Sequence, residues 1–573
     1  MDKNEMRAYL MEKRGYTTDY LDEIETSTTD TLLDMDKMVK ALHKCYVNQS
    51  LITILPDFDM DGIASQTLGF AGLSELGFNV ALYEPHPEEG YGFTPDTIDD
   101  LVKHYPRTKT ILTCDTGITC YEGVTYAKSL GIDVLVTDHH LQKDRDKLEA
   151  DVIVDPNRID DMYETPYICG AYTLWKCLYA YANEYCGIDK IYNIELLRVF
   201  ASLGTVSDMM PVLYENRKLL RDGLSFCNAL YEPGKTIDML YSTPDYSLLK
   251  VIHGCDTFVS AFYGLYNLFQ ALYESGKIQD TIEEDTFGFY IAPMFNTLKR
   301  LNQPISIAYD VFFNPAKSNF AISQLMELNE KRKLLVKKFY AEMNEQLQPY
   351  APYIYISQAP GGILGLLATK KIEETGLPTF VVSQDGNVYH GSGRSPEWYP
   401  CNTKLTREGF HIAGHEGAFG IGFEDRSELE SCLAFLQKDV PDTLDTIEIQ
   451  EEEPEVIFGT EEFPLTIRTL RDMNKAIRSF RPFGKGFTEF TQQCRFKMED
   501  VDSIQYLGQD GETTKVITKS GACILIWRSG TLIQELLEKG VETFVVNGKL
   551  KWNCFNDIWT LQFIGDLEET GCK

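Results

Sequence analysis

Apolar positions follow two different rhythms along this chain. Up to about residue 50 they recur at helical spacing, ending in the amphipathic stretch Leu33–Tyr46. From Leu51 the rhythm changes to short apolar runs: Leu51–Leu55 (LITIL), Thr110–Thr113 (TILT), Ile132–Thr137 (IDVLVT) and Val152–Val154 (VIV). Each reads as a buried strand. They are separated by roughly 20 to 60 residues with helical pattern between, which predicts βαβ units and a mostly parallel sheet. A helical region follows over about 170–350 and closes in the long charged segment Ser318–Leu347, with the Lys/Glu pattern of a connecting helix. A second α/β pattern occupies about 350–438, and short strands with turn signals run from about 490 to the end, predicting a small β-barrel.

At 573 residues the chain is too long for one core, so several domains are expected. The pattern divides it into 1–225, an α/β domain with a helical lead-in; 226–349, a helical region with its connecting helix; 350–438, a second α/β domain; 439–470, an acidic linker; and 471–573, the barrel. No apolar run approaches the roughly 20 residues of a membrane span, and the N-terminus has no signal-peptide core. The fourteen cysteines are scattered with no C-x-x-C pair, so reduced thiols and a cytoplasmic location are expected. A formal charge of −32 argues against sequence-independent coating of nucleic acid, which calls for a basic face. Part of that charge is local: from Asp439 to Glu462 there are ten acidic residues and no Lys or Arg, the pattern of a solvated face.

The chemistry gathers where the strands end. LITIL runs into Asp57-Phe58-Asp59-Met60-Asp61-Gly62, TILT into Asp115-Thr116-Gly117, IDVLVT into Asp138-His139-His140, and VIV into Asp155-Pro156-Asn157. Ligands of an open parallel sheet bind outside the carboxyl ends of its strands, so these acids should converge on one edge. Carboxylates so close resist ionising together unless cations resolve the conflict. Oxygen ligands with one or two imidazoles suit Mn²⁺ or Mg²⁺ better than zinc. Two such ions about 4 Å apart clamp the attacking and leaving oxygens of a displacement at phosphorus. Taken singly, an Asp-Gly after a strand is only a turn and Asp155-Pro156-Asn157 reads equally well as one; the weight lies in four successive strands ending this way.

The first three of these motifs, with Cys169-Gly170-Ala171 and Leu203-Gly204-Thr205-Val206-Ser207-Asp208, resemble the successive motifs of the DHH phosphoesterases. Within that superfamily the chain is most similar to the RecJ single-strand exonuclease branch, as Gly90-Tyr91-Gly92 and the Pro293…Asn296…Arg300 run also suggest. Gly365-Leu366-Leu367-Ala368, Gly391-Ser392-Gly393-Arg394-Ser395 and Ala413-Gly414-His415-Glu416-Gly417-Ala418 resemble the DHH-associated domain. Arg481-Pro482-Phe483-Gly484 and the final strands, with Trp552 and Trp559, resemble the OB-fold of RecJ proteins.

The resemblance implies an α/β protein: a parallel-sheet DHH catalytic domain, a connecting helix, a DHH-associated domain and a C-terminal OB-fold barrel. It implies metal ligation by Asp59, Asp61, Asp115, His139 and Asp208 with Asp57 assisting, Asp138 orienting His139 or joining the shell, and His140 facing the scissile phosphate. Ser392 and Arg394 match the family's phosphate-holding pair, His415 a nucleic-acid contact, and Arg300 reads equally as contact or as structure. Two Mn²⁺ or Mg²⁺ ions, a single-stranded DNA substrate cut 5′→3′ to 5′-mononucleotides, a monomer, a repair or recombination role, and single-strand-binding protein or a helicase as partner follow from the same resemblance. The chain departs from the family in two places. Ser357-Gln358-Ala359-Pro360 replaces a Trp-His pair, and Pro85-His86-Pro87 replaces a basic residue that helps hold the 5′ phosphate, with His86 a candidate substitute. Hydrolysis of short RNA or (cyclic) dinucleotides is the alternative within the superfamily, and a catalytically dead replication subunit the alternative outside enzymes. The full set of acidic ligands counts against the latter.

Overall fold

The computed structural model describes residues 1–25, 31–86, 92–142, 148–231, 252–279, 281–414, 416–446, 453–508, 512–555 and 558–568. The chain divides into two compact units. The larger comprises Asp30–Asp208 and Gly223–Gln450; the smaller gathers Met1–Thr29, Met209–Asp222 and Glu451–Lys573. The helical lead-in is thereby split, its first part belonging with the C-terminal strands.

The larger unit holds two sheets. The first is built from β1 (Leu51–Pro56), β2 (Val80–Leu82), β3 (Thr108–Cys114), β4 (Asp133–Thr137) and β5 (Val152–Val154) in the order β2-β1-β3-β4-β5. Every pairing in it is parallel. Its strands are apolar on both faces because helices cover both, the reason they read as continuous runs. The second sheet has β6 (Ile354–Ile356), β7 (Thr379–Asp385), β8 (Val388–Arg394), β9 (Ile412–Gly414) and β10 (Ala418–Phe423) in the order β6-β7-β8-β10-β9, with only the β6–β7 pair parallel. The connecting helix is present as Ser318–Glu345. It stops where Gln346 turns to an extended conformation.

In the smaller unit β11 (Val456–Phe458), β12 (Gln492–Lys497), β13 (Val501–Leu507), β14 (Thr513–Thr518), β15 (Cys523–Trp527), β16 (Thr543–Phe555) and β17 (Ile558–Leu567) form one mixed sheet, ordered β11-β12-β16-β17-β15-β14-β13. The expected closed barrel is not found: among the described residues no pairing joins the edge strands β11 and β13. The apolar face is instead covered by helices, with Leu470, Met473 and Ile477 of the helix Ile467–Arg478 and Met6 and Leu10 of Lys3–Lys13 packed among the strand residues. A sheet covered in this way has no need to close on itself to bury that face. Arg217 is the polar anchor of this unit. Its buried guanidinium donates to the Phe480 and Pro482 carbonyls, both at 2.6 Å, and lies 4.0 Å from the Phe487 ring. That gives the Arg481-Pro482-Phe483-Gly484 turn a structural task. Among the described residues no helix is long and apolar enough to cross a membrane, and the cysteines are free thiols.

Candidate metal centre and phosphate-binding face

The carboxyl ends of β1, β3 and β4 deliver the acids to one pocket, as the alternation of strand and acid-rich turn requires. Asp59 begins the helix Met60–Glu75, its Oδ1 accepting from the Asp61 and Gly62 N–H groups at 3.0 and 3.1 Å. Such a cap satisfies amide groups that the first turn leaves without partners. Asp61, fully buried, is gripped by a second helix N-terminus: the Gly170 and Ala171 N–H groups donate to Oδ2 and Oδ1 at 2.7 and 3.2 Å. Asp115 takes a left-handed backbone conformation (φ +61°) just beyond β3. From β4, His139 reaches across to it: Nε2 is 3.1 Å from Asp115 Oδ1, 3.5 Å from Asp208 Oδ2 and 3.9 Å from Asp61 Oδ2. Asp208 arrives from the end of the helix Arg198–Ser207. Two glycines make room. A Cβ at Gly204 would stand 2.0 Å from Asp61 Oδ1, and one at Gly170 2.5 Å from Asp115 Oδ1.

Three overlapping groups in this pocket could hold metal ions: Asp61, His139 and Asp208; Asp115, His139 and His140; and Asp57, Asp59 and Asp115. In each, one ligand atom per residue lies within 4.8 Å of the others. Asp115 Oδ1 and His139 Nε2 are buried without a hydrogen bond. These are the oxygen and imidazole donors that Mn²⁺ and Mg²⁺ accept, so the residues present fit such ions. The electrostatics agree. Burial and then the neighbouring carboxylates hold the Asp115 carboxyl well above its ordinary range, and burial raises Asp61 to about 6. Burial, followed by the charge of His140, lowers His139, leaving the neutral imidazole a metal needs.

Asp138 and His140 form a separate ion pair. Asp138 Oδ1 accepts from His140 Nδ1 at 2.7 Å and from the His139 N–H at 2.7 Å, and Oδ2 accepts from the Ile118 N–H at 2.9 Å. The ring that Asp138 orients is thus that of His140. Burial opposes both charges, but their mutual attraction wins: Asp138 lies below its ordinary value and His140 is raised to about 10. Asp155-Pro156-Asn157 is the turn it resembles. Asp155 Oδ1 accepts from the Asn157 N–H, and Asn157 Nδ2 donates to the His139 carbonyl at 2.5 Å.

Opposite chemistry is assembled on the helix Gly361–Thr375. A Cβ at Gly362 would stand 2.4 Å from the Arg300 carbonyl oxygen. One turn later, at Gly365, it would stand 2.9 Å from Arg394 Nη2 and 3.3 Å from Ser392 Oγ. The glycines of this helix therefore bring Arg300, from the end of Ala292–Arg300, and Ser392 and Arg394, from β8, onto one face. Arg394 donates to Thr369 Oγ1 (3.2 Å) and the Gly393 carbonyl (2.8 Å). Burial, then repulsion from Arg332 and Arg394, lowers the Arg300 guanidinium to about 10. Asp59 only partly offsets this charge at Arg300, and guanidiniums crowded in this way are suited to an anion.

Two residues here were not singled out from the sequence. Arg332, on the connecting helix, donates to Asn329 Oδ1 at 3.0 Å, and Lys299 Nζ lies 3.4 Å from Asp57 Oδ2. Lys299 adjoins Arg300 and was open to discovery; Arg332, within Glu330-Lys331-Arg332-Lys333, has the signature of a solvated face. Asn296, from the run noted in the sequence, accepts the Met60 N–H at 2.8 Å and ties its helix to the Asp59 turn. His415 and Gly90-Tyr91 lie outside the described residues. His86 is exposed, its Nε2 3.4 Å from Asp100 Oδ2.

Residues 51–201 match the model of the DHH family, N-terminal domain. Over that stretch the chain is similar to the DHH family, N-terminal domain. The chain is 26% identical over 496 residues to the single-stranded-DNA-specific exonuclease RecJ of Salmonella typhimurium, covering 82% of this chain and 78% of that one. It is 26% identical over 422 residues to the Escherichia coli RecJ, covering 69% and 67%. Its fold matches the crystal structure of Thermus thermophilus RecJ in complex with Mn²⁺ with a TM-score of 0.71 at 19% identity, spanning 98% of this chain and 76% of that one. A crystal structure of that protein with Mg²⁺ aligns with a TM-score of 0.67.

Proposed function

We propose that this RecJ-like protein is a divalent-metal-dependent exonuclease of single-stranded DNA, hydrolysing phosphodiester bonds from the 5′ end to 5′-mononucleotides in repair or recombination. The observation that carries the reading is the pairing of a buried carboxylate–imidazole pocket with a guanidinium face in the same unit. Asp59, Asp61, Asp115, His139 and Asp208, with Asp57, would hold two Mn²⁺ or Mg²⁺ ions. Ions held there supply the charge that acidifies a water and offsets the charge developing on the phosphate. Arg394 and Ser392 would grip the phosphate being cut, and Arg300 the adjoining strand. His140, kept protonated by Asp138, can donate from Nε2 to the phosphate or to the departing oxygen.

Single-strand specificity would follow from a path too narrow for a duplex, with the C-terminal sheet, read as an OB-type module, holding the strand by stacking and backbone contact. With a net charge of −32, grip would depend on this local basic face. A monomer acting in the cytoplasm beside single-strand-binding protein or a helicase completes the proposal.

The test is Mn²⁺-dependent digestion of a single-stranded oligonucleotide labelled at either end, alongside its duplex, an RNA version and a cyclic dinucleotide, with Asp138→Ala as the contamination control. Stepwise shortening of the 3′-labelled single strand, with the duplex spared, is the expected result. Cleavage confined to short RNA or dinucleotides would reassign the substrate. No activity on any of them would remove the enzyme reading.

A further inference from the structure

The two ends of the metal pocket differ in a way that the proposed function does not use. At the Asp61–Asp115–His139–Asp208 end the partners in contact are the neutral His139 imidazole and backbone N–H groups, and the charge of nearby His140 is already matched by Asp138. At the other end a permanent side-chain cation is already in place. Lys299 Nζ lies 3.4 and 3.5 Å from the two oxygens of Asp57, whose side chain is 4% exposed, and Asp57 belongs to the Asp57, Asp59 and Asp115 group. The ammonium is not a casual visitor. It stands on the helix Ala292–Arg300, three residues after Asn296, which accepts the Met60 N–H and fixes that helix against the Asp59 turn. Its side chain is 39% exposed, whereas the Asp57 carboxylate it meets is 4% exposed.

The geometry points to Lys299 as a tethered cation that weakens the second divalent ion at the Asp57–Asp59 end, leaving the protein with one tight and one weak metal site. The reasoning rests on the two-metal reading and on charge. Asp57, Asp59, Asp61, Asp115 and Asp208 together carry five negative charges when ionised. Two divalent ions and one ammonium balance them; without the ammonium the pair of ions leaves an excess negative charge that would hold the second ion more firmly. A lysine competes for the same Asp57 oxygens a metal would use, and it must swing aside or share them. Lys299 acts first on Asp57, then on Asp59 and only last on Asp115, so its effect should be largest at the Asp57–Asp59 end. The second ion would therefore load mainly when a substrate phosphate brings further oxygen ligands to that end.

Mn²⁺ binding to the full chain, followed by calorimetry and by the electron paramagnetic resonance of free Mn²⁺, tests this without any turnover. The wild-type protein should show one tight equivalent and a second at least about tenfold weaker. Lys299→Met, apolar and carrying only a soft sulfur that hard Mn²⁺ disfavours, should tighten the second class about tenfold, after discounting for solvent screening. The tight class should stay within about twofold. Lys299→Ala should act alike, and Lys299→Arg should keep the wild-type pattern. A second class unchanged in both Lys299→Met and Lys299→Ala, in proteins whose tight site shows them folded, overturns the role of the lysine. Loss of the tight class in both neutral variants would also overturn it, since the lysine would then be supporting the whole pocket. Failure of the wild-type protein itself to bind Mn²⁺ would strike instead at the metal-dependent function on which this inference stands.

Discussion

The parallel sheet β1–β5 and the mixed sheet β6–β10 share one unit, yet they present functional side chains by opposite means. The first uses strand ends. Asp57, Asp61 and Asp115 sit just past buried strands and are almost fully enclosed, Asp61 held by a neighbouring helix N-terminus, while Asp208 joins them from a helix end. The second uses the body of a strand. Ser392 and Arg394 alternate along β8 and are brought to their face by the absence of a side chain at Gly365 on the helix above. Packing a set of mutually repelling carboxylates costs the apo protein stability; on the second face Arg300 bears burial and repulsion from Arg332 and Arg394, whereas Arg394 is relieved by hydrogen bonds to Thr369 and the Gly393 carbonyl. The carboxylate pocket is accordingly crowded with like charges that bound cations would relieve, and the crowding on the guanidinium face falls on Arg300 more than on Arg394.

That contrast can be broken most severely at Asp115. Asp115→Asn should lower kcat by at least about a thousandfold, on the order of 4 kcal/mol of barrier. In the presence of chelator the same variant should melt a few degrees higher than wild type, because a buried carboxylate is no longer crowded by its neighbours. Turnover and differential scanning calorimetry on one preparation check both signs. A fall in both would mean that the pocket is not under electrostatic strain.

At Arg394 the split should reverse. Arg394→Ala is expected to raise KM for a single-stranded oligonucleotide by about 10- to 100-fold, with the melting temperature nearly unchanged, and Arg394→Lys should recover little of it because an ammonium lacks the planar fork. Steady-state kinetics with unfolding curves decide it. A milder change, Gly365→Ala, puts a Cβ 2.9 Å from Arg394 Nη2 and should raise KM by about three- to tenfold. Helix propensity would meanwhile leave stability equal or slightly improved.

The smallest expected effect lies away from both faces. Glu75 accepts from Lys190 Nζ at 2.5 Å, Asn193 Nδ2 at 2.8 Å and the Cys255 N–H at 2.7 Å. Burial alone would raise its pKa, but these partners hold it below the ordinary 4.5. A carboxyl whose folded value is depressed adds stability that is complete above its unfolded value and disappears as pH falls through the folded one. Glu75→Gln should therefore cost about 1–2 kcal/mol at neutral pH, discounted because Lys190 is partly exposed, and flatten the loss of stability below pH 4.5. Urea midpoints measured from neutral to acid pH give both quantities.

How much could be read in advance follows the same division. Leu51–Pro56, Thr108–Cys114, Asp133–Thr137 and Val152–Val154 are strands where the apolar runs predicted them, and the acids follow them directly. The connecting helix starts at Ser318 as expected. The short edge strand Val80–Leu82, half-buried, carries no comparable run. The C-terminal strands were legible as strands, but whether their sheet closes depends on what covers its apolar face, and helices distant in sequence do so.

The sequence by itself determined what is local and periodic: which segments are strands, which residues stand at their ends, and hence that acids and imidazoles meet at one sheet edge. Alternation of buried strand and polar turn is enough for that, because chain direction in a parallel sheet puts every carboxyl end on the same side. Only the tertiary structure decided the partners of those residues. Asp138 is spent on His140, Lys299 faces Asp57, and Arg300 and Arg394 share a helix face through glycines one turn apart. These are contacts between segments as much as 242 residues apart in the chain. They depend on distances of a few tenths of an ångström between packed side chains, which no spacing along a sequence encodes.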